Sequence, residues 1–192
     1  MKKILGFILL AIIAMSCGTS TNNEKKEDTT SCPKAETQQL FLKNLASLCG
    51  KSFGGTEAFV MEGRESWANK KFVMHVTLCD SNEVHIPFHL DNDHSRTWKF
   101  IMEDEGLRFR HDHRHPDGTP EDQNLYGGYA DGNGTALKQF FPADQYTYDL
   151  LGDGINRQWN VILSDDLSLL SYQLLYAGEL VFQADFDLTN PL

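Results

Sequence analysis

Apolar side chains recur at every second position in successive segments between residues 72 and 188. The segment 180–188 (LVFQADFDL), for example, alternates large apolar residues with Gln183, Asp185 and Asp187. Because successive side chains of a strand point to opposite faces, this pattern predicts strands with one buried face each. Such strands are typical of antiparallel sheets and disfavour a doubly wound parallel sheet. We therefore predict an all-β fold.

The alternation also predicts which strands pair and in what register. Residues 97–102 and 107–112 fold about the turn EDEG so that Trp98 lies opposite His111. The C-terminal segment just described pairs in the same way with residues 168–176 across the turn AGE. A shift of one residue would turn the apolar face of a strand towards solvent, so each register is well specified.

A third hairpin is predicted within residues 71–90. The register that matches its apolar faces places Leu78 opposite Ile86. The same register places His75 opposite His89 on the outer face. Residues directly opposite each other in an antiparallel pair lie about 5 Å apart, so these two imidazoles are predicted to be neighbours.

One short helix is predicted ahead of the strands. Residues 36–48 carry apolar side chains at helical spacing, and Gly50 lies where a helix C-cap is expected. About ten short strands follow, separated by turn signals such as DGNG and GDG. Residues 33–192 have the size of one domain, which we predict to be an antiparallel sandwich or barrel. The helix residues predicted to be buried are Leu40, Phe41, Leu45 and Leu48.

The N-terminus resembles the leader of bacterial lipoproteins. Two lysines precede an apolar run over residues 4–14, and Cys17 follows a small residue. A charged start and a short apolar run are typical of a secretory signal. The resemblance implies that residues 1–16 are a signal peptide and that Cys17 is lipidated. Because Gly18 follows the cysteine, it also implies anchoring in the outer membrane of the bacterial cell envelope. The alternative is an ordinary secretion signal with a chance cysteine.

The charge of the chain disfavours nucleic acid as a partner. The formal net charge is −10, and removal of residues 1–16 would take away two lysines and no acidic residue. A protein this acidic is repelled by phosphates, whether of nucleic acid or of anionic lipid headgroups. Residues 17–32 carry no large apolar side chain, so they are predicted to be a disordered tether behind the lipidated cysteine.

Three further cysteines could form a disulfide in an oxidising envelope. The pair Cys49–Cys79 is favoured because Cys32 lies at the end of the tether, although buried free thiols are an alternative. The sequence contains no C-x-x-C, no G-x-S-x-G and no H-E-x-x-H motif. Motifs therefore point to no thioredoxin-like, serine-hydrolase or zinc-protease chemistry.

The most unusual stretch is RFRHDHRHPDG, residues 108–118, in which His111, His113 and His115 stand at every second position. On a strand these histidines share a face with Phe109. Since apolar neighbours mark the inner face, His111 is predicted to point inward, and Arg96 is predicted to lie near His113.

Two roles remain open for these histidines. A cavity-lining or structural role is favoured, because three arginines alternate with them and local positive charge opposes a divalent cation. The alternative is a zinc or iron site, in a metal-binding protein or metal-dependent hydrolase, with His111, His113 and Asp117 as ligands. The predicted pair of His75 and His89 could also share an ion, but exposed histidine pairs are usually only solvated.

Several motifs resemble a family of small secreted bacterial proteins. They are LCGKSF, IPFH, SRTWKF, GLRFRHDHRHPDGT, YGGYADGNGT and FFPAD, and together they extend over nearly the whole predicted domain. This resemblance implies secretion and assigns no activity. More distantly, a short helix followed by sequential hairpins is similar to the lipocalin and fatty-acid-binding barrels. That similarity implies a calycin-like, up-and-down β-barrel that holds a small apolar or amphipathic ligand.

The leading hypothesis is a lipid-anchored barrel that binds a small ligand non-covalently, so a non-enzymatic role is favoured and an enzyme is the alternative. Arginine forks onto carboxylates, so Arg96 would favour an anionic ligand head. The other hypotheses are the metalloprotein described above and a structural envelope protein without a ligand. The predicted ligand-binding residues are Arg96, Trp98, Phe100, Phe109, His111, His113 and Tyr172.

Overall fold

The computed structural model describes residues 34–192, and these residues form an antiparallel barrel behind a short helix, as predicted. Ten strands follow one another around the barrel in the order β7-β6-β5-β4-β2-β1-β11-β10-β9-β8, and the short β3 pairs with β4. Most strands pair with their neighbours in sequence, which is the up-and-down topology. The strands are β1 (Ser52–Val60), β2 (Phe72–His75), β3 (Leu78–Cys79), β4 (Glu83–Leu90), β5 (Asp93–Glu103), β6 (Gly106–His113), β7 (Tyr126–Tyr129), β8 (Lys138–Pro142), β9 (Arg157–Leu163), β10 (Leu169–Tyr176) and β11 (Glu179–Pro191).

The barrel is nearly closed, because its two end strands, β7 and β8, lie side by side. The backbone N–H of Asp131 donates to a carbonyl of β8, and that of Asp144 donates to the carbonyl of Gly127, both at 3.0 Å. The backbones approach so closely that a Cβ on Gly128 would collide with the carbonyl oxygen of Pro142. Glycine is therefore required at this point of the seam.

The helix α1 (Lys34–Ala46) covers one end of the barrel. The Phe41 ring packs edge-on against Phe100, with ring centroids 6.2 Å apart, and Gln38 Oε1 accepts a hydrogen bond from the backbone N–H of Leu107 at 2.9 Å. The predicted helix is confirmed, but Leu40 was expected to be buried and is 39 % exposed. The buried face is rotated from the expected one and consists of Gln38, Phe41, Leu42 and Leu45.

The β5–β6 register matches the prediction, since Trp98 lies opposite His111 and Arg96 opposite His113. The register of the hairpin predicted within residues 71–90 differs. Met74 lies opposite Phe88, two positions away from the expected pairing. Because the shift is even, the apolar residues of β2 still point inward.

A β-bulge explains the rest of this difference. The pairing of β2 with β4 would place Thr77 opposite His85, but β3 places Leu78 opposite His85 instead, so two residues oppose one. The bulge leaves Leu78 38 % exposed, where sequence alternation predicted it to be buried. It also sets Cys79 against the core, where a disulfide joins it to Cys49. This is the pair that the sequence favoured.

A second helix, α2 (Gln145–Leu151), follows β8 and was not predicted. Its ends carry ordinary helix signals. The Asp144 side chain accepts a hydrogen bond from the backbone N–H of Thr147 at 3.0 Å, and Gly152 ends the helix in the left-handed conformation at φ 62°. The helix between these two caps has only seven residues, which is too short to show helical periodicity of apolar residues in the sequence.

Large aromatic side chains fill the middle of the barrel. The Trp98 ring lies nearly parallel to two neighbours, with centroids 4.6 Å from Phe88 and 4.5 Å from Tyr172. The rings of Phe100 and Phe109 stack on each other nearer to α1, 4.7 Å apart. These contacts close the interior on the side of the helix, so a cavity can exist only towards the other end.

Candidate ligand cavity

A cavity of about 910 Å³ lies at the end of the barrel opposite α1 and is open to solvent. Its rim is formed by the β4–β5 turn, by the long connection between β6 and β7, and by the last residue of α2 and the first of β9, Leu151 and Arg157. Aromatic rings make up much of its wall and floor. They belong to Trp67, Tyr126, Trp159, Tyr172 and Tyr176.

Of the residues predicted to bind a ligand, Arg96, His113 and Tyr172 line this cavity. Tyr172 belongs to its floor, because the ring stacks on Trp98 and is 3 % exposed. The other predicted aromatic residues lie deeper and are core residues instead of walls: Trp98, Phe100 and Phe109 are each at most 1 % exposed.

Arg96 extends into the cavity from β5. Its Nη2 lies 2.8 Å from Asp93 Oδ2, so one edge of the guanidinium is paired with a carboxylate. Its Nη1 is buried and has no hydrogen-bond partner among residues 34–192. A buried donor without an acceptor costs on the order of 1–3 kcal/mol, and more when it is charged. Arg96 therefore brings to the cavity wall a guanidinium with one donor that lacks an acceptor among the described residues.

His113 and Tyr126 line the cavity with this arginine and are hydrogen-bonded to each other. The Tyr126 hydroxyl is 3.0 Å from His113 Nε2, and His113 Nδ1 is 3.6 Å from a carboxylate oxygen of Glu121. Burial, together with the charge of Arg96, lowers the pKa of His113, so its ring is neutral at pH 7 and Nε2 accepts from the hydroxyl. Burial raises the pKa of Tyr126 to about 12, so its hydroxyl remains protonated.

His111 does not line the cavity, and both of its ring nitrogens are engaged. Nε2 lies 3.0 Å from the Tyr172 hydroxyl, and Nδ1 lies 3.3 Å from the backbone carbonyl of Tyr126. Burial holds the pKa of His111 well below its usual range, so the ring is neutral. The Nδ1–H then donates to the carbonyl, and Nε2 accepts from the hydroxyl. The role of His111 is to position the floor of the cavity.

The predicted metal-ligand set is not assembled. The nitrogens of His111 are taken by the hydrogen bonds just described, and Asp117 Oδ1 accepts from the N–H and the hydroxyl of Thr119 at 2.9 and 2.6 Å. Across the described part of the chain, His, Cys, Asp and Glu side chains form no group of three or more that could hold a metal ion. His111, His113 and Asp117 therefore do not make a three-ligand site.

Arginines and carboxylates both line the cavity: Arg96, Arg114 and Arg157 on one hand, Asp93 and Glu121 on the other. Arg157 pairs with Asp153 and lies 5.0 Å from the centroid of the Tyr176 ring. Arg114 pairs with Asp112 at 3.1 Å, and Lys99 binds the same carboxylate at 3.0 Å. The positive charges of the lining are therefore held in ion pairs.

Sequence reasoning missed several aromatic residues of the wall. Trp159 lies on β9, where the alternation of Trp159, Val161 and Leu163 would have predicted an inward face. Tyr126 lies opposite His111 in the β6–β7 ladder, but the segment YGGY is too short to show a pattern. Trp67 belongs to a single 3₁₀ turn, and nothing in the sequence around it indicates a position at the cavity.

No protein-family model matches the chain, and no curated protein or solved structure matches it either. Between residues 34 and 192, neither helix is long and apolar enough to cross a membrane. The predicted signal peptide, the predicted lipidation of Cys17 and the predicted tether over residues 17–32 all lie outside the described residues.

Proposed function

We propose that the protein is a cell-envelope lipoprotein whose barrel binds a small amphipathic ligand with an anionic head. The observation that carries this proposal is that Arg96, whose Nη1 has no hydrogen-bond partner among residues 34–192, lines an aromatic-walled cavity. Most buried polar groups have a hydrogen-bond partner, so an unpartnered one on a residue that lines an open cavity supports a binding role. A carboxylate is the acceptor that a guanidinium edge matches best.

The groups around Arg96 suit a carboxylate head. Glu121 is held near the ring of His113, and Asp93 neutralises only one edge of the guanidinium. The Tyr126 hydroxyl lies at the same place but donates its one proton to His113 Nε2, so towards a ligand it can only accept. An anionic head would thus find its donor in the guanidinium of Arg96.

The rest of the cavity suits an apolar or aromatic body. Trp159 and Tyr126 lie with ring centroids 5.8 Å apart, and Trp67 packs on Phe182 at 4.6 Å. A cavity of about 910 Å³ is within the range of roughly 300–1,000 Å³ that holds small organic ligands. Aromatic walls with few convergent polar groups are typical of such sites.

The proposal is tested with a pair of probes that differ only in charge, 2-naphthoate and 2-naphthamide. Binding is followed through the fluorescence of Trp67 and Trp159, which line the cavity, and is checked by calorimetry. We expect the carboxylate to bind about tenfold more tightly than the amide or better, because hydrogen bonds to charged groups contribute about 1.5–3 kcal/mol. Equal affinity for the two probes would show that the cavity does not select anions.

Three variants assign the effect to residues. Arg96→Gln should remove the preference for the carboxylate, whereas Asp93→Asn should keep or strengthen it, because it frees the second edge of Arg96. Lys138→Gln removes a positive charge at the far end of the barrel and should leave both affinities unchanged. If Asp93→Asn behaved like Arg96→Gln, the ion pair would only support the rim and the proposed head site would be wrong.

The proposed anchor is tested separately. Cells that express the full chain are labelled with a radioactive fatty acid, and the membrane fraction is compared with that of the Cys17→Ser variant. We expect label and outer-membrane recovery in the parent chain and neither in the variant. Processing to an unlabelled, freely secreted protein would support the ordinary secretion signal instead.

A further inference from the structure

We propose that His75 and His89 together bind one divalent transition-metal ion on the outer face of the barrel, at a site independent of the cavity. Imidazole nitrogen is a preferred ligand of copper, nickel and zinc. The proposal rests on the distance between the two rings, on how they are held, and on the charges around them.

The spacing of the nitrogens fits a shared ion. His75 Nε2 lies 3.1 Å from His89 Nδ1, and the ring centroids are 4.4 Å apart. For metal–nitrogen bonds of about 2.0–2.1 Å, two ligands of one ion lie about 3.3 Å apart in tetrahedral geometry and about 2.9 Å apart when cis in a square plane. Here the contact is a hydrogen bond, so one of the two nitrogens carries the proton that lies between them. A bound ion would replace that proton, which would move to the other nitrogen of its ring, and the observed distance lies between the two values for ligands of one ion.

The strands hold the rings in this arrangement. His75 ends β2 and His89 lies near the end of β4, while their neighbours Met74 and Phe88 point into the core. Because side chains alternate along a strand, both histidines lie on the solvent side. Ser52 Oγ on β1 is 2.6 Å from His75 Nδ1. When Nδ1–H donates to Ser52 Oγ, Nε2 keeps its lone pair, which accepts from His89 here and would bind the ion, as in metal-bound histidines held by an outer contact.

The protonation state and the surroundings favour a cation. Partial burial and the neighbouring His94 lower the pKa of both His75 and His89, so both rings are neutral at pH 7, as metal binding requires. The negative charge of the Asp93 carboxylate raises the pKa of His89 and so partly offsets these two effects. The same negative charge would favour a bound cation.

His94 is a neighbour of the site and not a third ligand. Its ring stacks face to face on His89, with centroids 3.8 Å apart and planes 12° apart. Stacked rings direct their nitrogens in parallel planes, so those of His94 do not converge with the other two. Two protein ligands and water would complete the coordination, which predicts moderate affinity.

The experiment uses the full chain without a histidine tag and with Cys17→Ser and Cys32→Ser, so that no free thiol binds or reduces the probe. Copper(II) is titrated by calorimetry and by electron paramagnetic resonance at pH 7.5. We expect one ion per chain and a signal from two coordinated imidazole nitrogens. His75→Asn and His89→Asn should each weaken binding at least tenfold and reduce the signal to one nitrogen.

Control variants separate this site from general chelation. His94→Asn and His85→Asn should bind copper within about threefold of the parent. Ser52→Ala, which disturbs no buried residue, should weaken binding about tenfold by releasing His75. The proposal is overturned if both single-histidine variants bind like the parent, or if binding is lost with His94 and not with His89.

Discussion

The buried imidazole of His111 makes the stability of the barrel depend on pH in a way that one substitution can isolate. The ring is neutral in the folded state because burial holds its pKa well below the usual range. In the unfolded chain the same ring titrates at a pKa of about 6.5. Above that pH both states are neutral at this position. As the pH falls below 6.5, only the unfolded state takes up the proton, so folding stability is lost towards acid.

The size of this effect follows from the linkage relation. For a group that stays neutral in the folded state, the loss at pH 5.5 relative to pH 7.5 is about 1.4 kcal/mol, and each further pH unit removes about the same amount again. His111→Gln removes the titration but keeps an amide oxygen that can accept from Tyr172. We therefore expect the variant to lose about 1.4 kcal/mol less than the parent over this interval.

The assay is urea unfolding at the two pH values, followed by tryptophan fluorescence. The free energies of unfolding can be compared if the m-value is the same in all four measurements. Taking the difference between variant and parent cancels the contributions of the carboxylates and of the other histidines. A lower absolute stability of His111→Gln would not affect the test, since only its change with pH is used. Parallel pH dependence in the two proteins would refute a neutral, buried His111.

Two further predictions concern the fold. Replacing both Cys49 and Cys79 by alanine should lower the free energy of unfolding by about 3–4 kcal/mol, since the bond closes a loop with a sequence separation of 30; urea unfolding measures this, and a loss below about 1 kcal/mol would contradict it. Gly128→Ala should cost more than about 2 kcal/mol, because its Cβ would collide with a backbone carbonyl of β8. Gly54→Ala, whose Cβ would meet only a side chain at 3.9 Å, should change stability by less than about 0.5 kcal/mol in the same assay.

Period-two alternation was sufficient to predict the faces of the strands. It placed Trp98 and His111 opposite each other in the interior, and the β5–β6 ladder has that register. It failed at Leu78, because a bulge reverses the faces of the residues that follow it in the same segment. The apolar pattern does not reveal this bulge, since residues of similar hydrophobicity lie on both sides of it.

Alternation could not predict the depth of a residue along the barrel. Arg96, Trp98 and Phe100 share one face of β5, so the pattern treats them alike. Each of them lies about 6.6 Å further along the strand than the one before it, however, and only Arg96 lies near the open end of the barrel. The strand begins at Asp93, beside the rim, which is why the arginine reaches the cavity and the two aromatic rings lie beneath its floor.

The number of strands explains why one half of the barrel interior is filled by side chains while the other half contains a cavity. About eight strands enclose an interior that side chains just fill, so a ten-stranded barrel needs additional material or keeps a cavity. Here α1 and the stacked rings of Phe88, Trp98 and Tyr172 supply that material on one side only. The stack takes one ring from each of three strands and sets the depth of the cavity, whereas Arg96 sets its charge. In the proposed ligand, the length of the body and the charge of the head are therefore selected by different residues, which can be changed independently.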